Sequence, residues 1–333
     1  MAGKIPPKGV RVLARCLLLA AAVSCAAPAA GAETGGYPTK PIRLVIGFTP
    51  GGVPDITARL IAAKLTENWK QQVIVDNRPG AGGTLAARTV AGANPDGYTL
   101  LSVSNAHAVA AAIYEKLPYD TLKDFAGITM TASGPALLLV SPALGVKSAK
   151  ELIAAARAKP GQFNFSSAGI GSGTHFAGEL FKSMAGIDVV HVPFKGIPEA
   201  ITETMTGRVQ FFLSPLASAI GLVKEGKVPA VGVTSRQRVP QFPDLPTVAE
   251  SGLPGYYFEF WYGLLAPART PRPIVLKLNR EVGRILNDPE VRGRLVAMGA
   301  EPAPTTPEQF ERFIAQDVAT LAKLARAAGI KAQ

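Results

Sequence analysis

The chain has 333 residues, with 35 Lys and Arg against 24 Asp and Glu, a formal charge of +11, and 47% hydrophobic residues. That apolar content sustains a core despite 34 Gly and 28 Pro, which excludes a disordered or low-complexity chain, and the length suggests two domains of ~100–200 residues. Two Cys are too few for a disulfide scaffold or a four-thiolate zinc site.

Residues 1–32 carry Lys4, Lys8, Arg11 and Arg15 and no acid. The Ala-rich apolar stretch Cys16–Ala30 follows, and Ala30-Gly31-Ala32 precedes Glu33. A basic start, a short apolar run and a small-residue cleavage site make a secretory signal peptide; the run is shorter than the ~20 residues of a spanning helix. Export to the periplasm is expected, with lipidation of Cys25 in Val23-Ser24-Cys25 as the lesser alternative. Removing the leader lowers +11 to +7 and takes away both Cys, which suits an oxidising compartment. The remaining charge forms no block of five consecutive Lys or Arg, so no nucleic-acid partner is expected.

After the leader, strands and helices alternate. The apolar run Ile42–Phe48 predicts a strand buried on both faces, and Gly51-Gly52 turns it into a helix over Ile56–Lys70 with Asp55 as N-cap. Val73–Asn77 predicts the next strand, Asn77–Gly83 a loop, and Tyr98–Val103 a third strand ahead of a helix near Asn105–Lys116. Strands are expected at Phe125–Thr131 and Ala136–Ser141. Ser148 and Glu151 spell a capping box for a helix to Lys159. Strands Phe163–Ser167, Val189–Phe194, Val209–Leu213 and Ala230–Thr234 then alternate with helices Thr174–Met184, Pro198–Thr206 and Leu216–Lys224. Such alternation predicts an α/β architecture with mostly parallel sheets. Tyr256–Leu265 reads as a strand, and Thr270-Pro271 opens a helix with the stripe Ile274, Leu278, Val282 and Ile285. Thr306-Pro307-Glu308-Gln309 combines a capping box with Pro at the first helical position, ahead of a docking face of Phe310, Phe313, Ile314, Leu321 and Leu324.

Catalytic signatures are largely missing. The three His stand at 107, 175 and 191, without a metal-binding spacing. Thr49–Val53 lacks the Lys of a P-loop, and Gly169-Ile170-Gly171-Ser172-Gly173 is neither a dinucleotide fingerprint nor a nucleophile elbow. Two Gly-rich loops between strand and helix remain, Phe48–Asp55 and Ser166–His175. Their glycines would let backbone N–H groups approach a ligand at a helix N-terminus, which attracts anions; an ordinary βα turn would use the same glycines. Ser167, Ser172 and Thr174 add hydroxyls, whereas Ser104-Asn105 reads first as a helix cap. His175 fits a site or a helix turn equally, His107 and His191 read as structural, and Lys195 could face cleft or solvent.

Tyr37-Pro38-Thr39-Lys40-Pro41-Ile42-Arg43, followed by Phe48-Thr49-Pro50-Gly51-Gly52 and Asp55, resembles the start of the Bug family, the periplasmic solute-binding proteins of tripartite tricarboxylate transporters. The likeness continues through Asn77–Gly83, Pro95–Leu100, Leu117–Asp120, Ser166–His175, Glu179-Leu180-Phe181, Val192–Gly196, Pro246–Gly252, Trp261-Tyr262-Gly263 and Gly299–Pro302, and so spans the chain after the leader. It implies a two-lobed Venus-flytrap, periplasmic-binding-protein fold with two hinge-crossing strands, placed near Gly127–Pro135 and Ser251–Tyr257. Residues 33–133 and 252–333 would form lobe 1, and 134–251 lobe 2. The implied function is capture of a small carboxylate (a di- or tricarboxylate or related organic acid) and its delivery to the membrane permease subunits, by a monomer without cofactor or metal. A sensing co-receptor is the alternative; a serine hydrolase using Ser172 and His175 is a third, less favoured for want of an acid partner. Carried onto this chain, the ligand contacts of the first lobe would be Phe48, Gly51, Gly52, Asp55, Ser104 and Asn105. Those of the second would be Ser167, Gly171, Ser172, Thr174 and His175, with Lys195 at the rim. The chain departs from the family pattern at Ser214, where an acid is usual, and this would favour an anionic or partly apolar acid over an ammonium-bearing ligand. Val53-Pro54 likewise replaces small hydroxyl residues.

Overall fold

In a computed structural model, residues 1–3 and 36–330 are described. Apart from Met1–Gly3, the expected signal peptide lies outside the described residues, as does Cys25. Tyr37–Gln333 forms one compact unit. Its chain order begins β1 (Ile42–Ile46), α1 (Val53–Trp69), β2 (Val73–Asn77), α2 (Thr84–Ala91), β3 (Thr99–Ser104), α3 (Ala106–Ile113) and β4 (Phe125–Val140). It continues α4 (Ala149–Ala158), β5 (Phe163–Ser167), α5 (Gly173–Ala185), β6 (Val189–Pro193), α6 (Ile197–Met205), β7 (Phe211–Pro215), α7 (Leu216–Lys224) and β8 (Ala230–Val233). The last elements are β9 (Glu259–Pro267), α8 (Arg272–Leu286), α9 (Pro289–Ala297), β10 (Glu301–Pro302) and α10 (Pro307–Ala328).

The sheet runs β2-β1-β3-β9-β4-β7-β5-β6, with β8 and β10 also paired to β4. The outer strands are parallel, as their apolar runs predict: β1 with β2 and β3, and β5 with β6 and β7. Ile42, Val45 and Ile46 of β1 are fully buried, because helices cover both faces of such strands. At the centre the pairing is antiparallel, through β4 and β9.

The two strands expected at 125–131 and 136–141 are one continuous strand, and the reason lies in its change of partner. Gly127 to Pro135 pair with β9, whereas Ala136 to Val140 pair with β7. Pro135 stands at that switch, where the missing N–H breaks neither ladder. Gly134 packs so closely on the Gly299 carbonyl that a Cβ there would collide. β4 thus joins the β1-side and β5-side parallel strands of the sheet; the irregular segment 251–258 leads back to β9 and is tied down where Phe258 N–H donates to Thr234 O at 3.1 Å.

Asp55 is not the N-cap of α1. The helix begins earlier, on Gly52, with Pro54 in its first turn, where a ring that fixes φ and lacks an N–H is at no disadvantage. The Ser148 cap forms, but Glu151 accepts from Lys147 N–H at 2.8 Å instead of completing the box. Thr306 and Gln309 complete theirs. Helix α9 was not anticipated, although Asp288 before Pro289 is a start signal and its carboxylate does cap Glu290 and Val291. On α10, Phe310, Ile314 and Leu321 are buried as expected, while Leu324 is 37% exposed.

Candidate functional site

Strands β1, β3, β5 and β7 all end, at their carboxyl edges, on one small cavity. Phe48, Thr49, Gly52 and Pro54 reach it from the β1–α1 loop, and Ser104 and Asn105 from the end of β3. Across from them stand Ala168, Ser172, Gly173 and Thr174 from the β5–α5 loop, Ile197 from the start of α6, and Pro215 from the end of β7. Phe260 and Tyr262 of β9 complete the wall. Carboxyl ends of strands are where α/β proteins place ligands, because the next helix begins there with unpaired N–H groups. Five helix N-termini, those of α1, α3, α5, α6 and α7, contribute residues to this wall. Each carries roughly half a positive charge, and no carboxylate, lysine, arginine or histidine lines the cavity.

Three buried side-chain atoms on this wall lack a hydrogen-bond partner among the described residues: Thr49 Oγ1, Asn105 Oδ1 and Tyr262 Oη. An unsatisfied buried polar group costs ~1–3 kcal/mol, so three around one cavity mark a place built for something else to bond. Burial pushes the Tyr262 phenol above its usual range, which keeps it a neutral hydroxyl. The cavity measures about 30 Å³, room for two or three water molecules at ~10–15 Å³ each.

Of the residues expected at the site, Phe48, Gly52, Ser104, Asn105, Ser172 and Thr174 are brought together on this wall. Ser172 caps α5 by accepting from His175 N–H at 3.1 Å, and its hydroxyl meets Thr174 Oγ1 at 2.9 Å. The others stand behind or beside the wall. Asp55 is buried beneath the β1–α1 loop and accepts from Gly51 N–H at 3.1 Å, from Arg59 Nε and from Asn77 Nδ2 at 2.9 Å. Burial would raise its pKa, but the bonds from Arg59, Asn77 and Gly51 outweigh burial and hold it below the usual carboxylate value. Asn77 Nδ2 also donates to Phe48 O at 3.1 Å, so the pair fixes the loop that carries Phe48 and Gly51.

Ser167 and His175 brace the second loop in the same way. Ser167 Oγ accepts from Gly169 N–H at 3.1 Å and meets His191 Nε2 at 2.6 Å. His175 Nδ1 accepts from Gly171 N–H at 3.3 Å, and its ring stacks on His191 with centroids 4.3 Å apart. Burial lowers both imidazoles, His175 to about 4 and His191 to about 3. His175 thus bonds the loop backbone and not the Ser172 hydroxyl, which removes the geometry a serine hydrolase would need. Gly171 packs against the Tyr114 ring. Ser214 is fully buried in β7 and donates to Pro215 O at 3.2 Å. Lys195 is exposed and off the wall.

The residues that sequence reasoning passed over are Thr49 and Tyr262 above all. Both lie inside motifs already singled out, yet nothing in strand periodicity marks which face of β9 meets the cavity. Among the described residues no group of three or more His, Cys, Asp or Glu could hold a metal, and no helix is long and apolar enough to cross a membrane.

Comparison with known proteins places this geometry in a family. The family model "Tripartite tricarboxylate transporter family receptor", TctC, matches residues 57–330. Protein BugT of Bordetella pertussis is 33% identical over 323 residues, covering 96% of this chain and 98% of BugT. Among solved structures, R. palustris Rpa4515 with adipate superposes with a TM-score of 0.86 at 36% identity, covering 89% of this chain and 99% of that one. MatC (Rpa3494) from Rhodopseudomonas palustris, with bound malate, gives 0.82 at 34% identity, covering 86% and 99%. The α/β architecture and its two-lobed solute-binding fold are those of these neighbours. The chain belongs to the TctC family of tripartite tricarboxylate transporter receptors, which are solute-binding proteins and not enzymes.

Proposed function

We propose that this protein is an exported periplasmic receptor that closes its two lobes on a small carboxylate and presents it to the membrane subunits of a tripartite transporter. The observation that carries this reading is the cavity wall. Five helix N-termini and three unpartnered polar atoms converge where no charged side chain stands. Such a wall suits an anion held by backbone N–H groups and hydroxyls, since helix N-termini favour negative charge. The adipate and malate carried by the solved relatives agree with it. The absence of any carboxylate from the wall leaves an ammonium group without a counter-ion, so acidic amino acids should bind less well than plain acids. We place the lobe boundaries near residues 134 and 252, in support of which β4 changes partner at Pro135 and Ala136.

Closure follows as a shift of population: the ligand favours the closed lobes only by binding them better than the open ones. With space for so few water molecules inside, the lobes must part before an acid enters. A thermal-shift screen of refolded, ligand-stripped protein tests the reading. Carboxylates at about a hundred times Kd should add about 2.7 kcal/mol of stability. Sugars or cationic amino acids giving the shift, with acids giving none, would refute it.

A further inference from the structure

An acid enters only if the loops around the cavity part, since the space between them is about 30 Å³. Most of what holds those loops together is shape. Gly82 lies against the Ile170 carbonyl, Gly173 against the Asn105 side chain and Gly196 against the Thr49 hydroxyl. Among the described residues a single hydrogen bond joins the loops after β1, β2 and β3 to those after β5 and β6: Tyr114 Oη–H donates to Ile170 O at 3.3 Å. Tyr114 follows the last turn of α3 in extended backbone and is half-buried. Burial raises its phenol above the usual range, so the hydroxyl stays a neutral donor. The ring lies on Gly171, where a Cβ would come within 2.7 Å of it.

The Ile170–Gly171 peptide is thus held from both sides. Its N–H donates to His175 Nδ1 at 3.3 Å, inside the same loop and helix start, and its carbonyl accepts from Tyr114 across the gap. Ser172, Gly173 and Thr174, the residues that follow, line the cavity, whereas Tyr114 stands outside the wall. We propose that Tyr114 is a positioning residue for the ligand, one that fixes the Ile170–Gly171 peptide, and with it the start of α5, only while the loops are closed. The His175 bond survives opening because both partners belong to one segment; the Tyr114 bond does not. Residence time of the ligand then depends on a hydroxyl that never touches it. This rests on the carboxylate reading above, and the experiment separates the two.

Tyr114→Phe keeps the ring on Gly171 and removes only the hydroxyl. Calorimetry gives Kd, and stopped-flow tryptophan fluorescence gives kon and koff, with adipate, malate and citrate as probes. Loss of one neutral hydrogen bond from the closed form should raise koff about fivefold and leave kon unchanged, so Kd rises by the same factor. The melting temperature of the ligand-free protein should stay where it is, because in the open form water bonds both the hydroxyl and the carbonyl. A brace present in both forms would instead lower that temperature. Such a fall, or an unchanged koff for every probe that binds the wild type, would overturn the positioning role while leaving the carboxylate reading intact. No binding of any acid by the wild type, in the screen above or here, would overturn both.

Discussion

Thr49, Asn105 and Tyr262 show how a binding wall can be recognised from what it leaves unbonded. Each buries a polar atom without a partner among the described residues, at a cost of ~1–3 kcal/mol; seven other such atoms are scattered elsewhere, and what distinguishes these three is that they line one cavity. Tyr262→Phe should therefore weaken carboxylate binding by about tenfold or more, the worth of one hydrogen bond to a charged group. The ligand-free variant should melt at the same temperature or higher, because an unsatisfied hydroxyl has been removed. Equal affinity in calorimetry would take Tyr262 out of the site. Behind the wall, residues chosen from the sequence as ligand contacts hold the loops in shape instead: Asp55 holds Gly51, Ser167 holds Gly169, and His175 holds Gly171. The residue types were legible, since loops that present backbone N–H groups need acceptors beneath them. Their facing was not, because one βα loop contains both inward and outward positions.

At the scale of elements, the loops after β1, β2 and β3 meet those after β5 and β6 through glycines. A Cβ at 173 would strike the Asn105 side chain, one at 82 the Ile170 carbonyl, and one at 196 the Thr49 hydroxyl. Gly196 is the cleanest test of closure, because its φ of −169° is extended backbone open to any residue. Gly196→Ala introduces no backbone strain, only a methyl against the β1–α1 loop. We expect it to lower ligand affinity about tenfold or more, while the melting temperature of the ligand-free protein barely moves, since parted lobes relieve the contact. A wild-type affinity would mean that the loops close differently. Element boundaries were mostly legible: Phe163–Ser167 and Leu216–Lys224 fall where apolar runs and turn residues put them. The fusion of β4 was not, because it depends on which strand pairs on either side of Pro135; the start of α1 was, since Pro54 marks a first helical turn that the choice of Asp55 as cap overlooked.

For the molecule as a whole, the buried imidazoles predict a pH dependence. His107 is stacked on Tyr119 with centroids 5.7 Å apart and edge-on to Phe125 at 4.9 Å, and burial lowers its pKa to about 4. With the folded value below the unfolded one, the unfolded chain takes up the extra proton. Stability is therefore full above about pH 6.5 and is lost as pH falls toward about 4, by roughly 3 kcal/mol for this residue. Asp55 and Asp76, held below their ordinary value once burial is offset by their Arg and Asn partners, lose their contribution only at lower pH, so the windows separate. Urea unfolding between pH 7.5 and 4 should show the slope, and His107→Phe should remove this residue's share of it while His175 and His191 keep theirs; an unchanged slope would assign it elsewhere. The charge of +7 over residues 33–333 bears little on the site, whose wall carries no charged side chain. It acts at long range on anions generally, whereas selection rests on dipoles and hydroxyls at short range.

By itself the sequence determined the alternation of strands and helices, the two Gly-rich loops and the family, because periodicity, caps and motif spacing are local properties of a chain. Only the tertiary structure decided which residues share a wall. Tyr262 and Thr49 are more than two hundred positions apart and meet because β9 lies beside β3, two strands from β1. Burial without a partner is likewise a fact of three-dimensional neighbours, and it was this property that set Thr49, Asn105 and Tyr262 apart from the other polar residues of the same loops and strands.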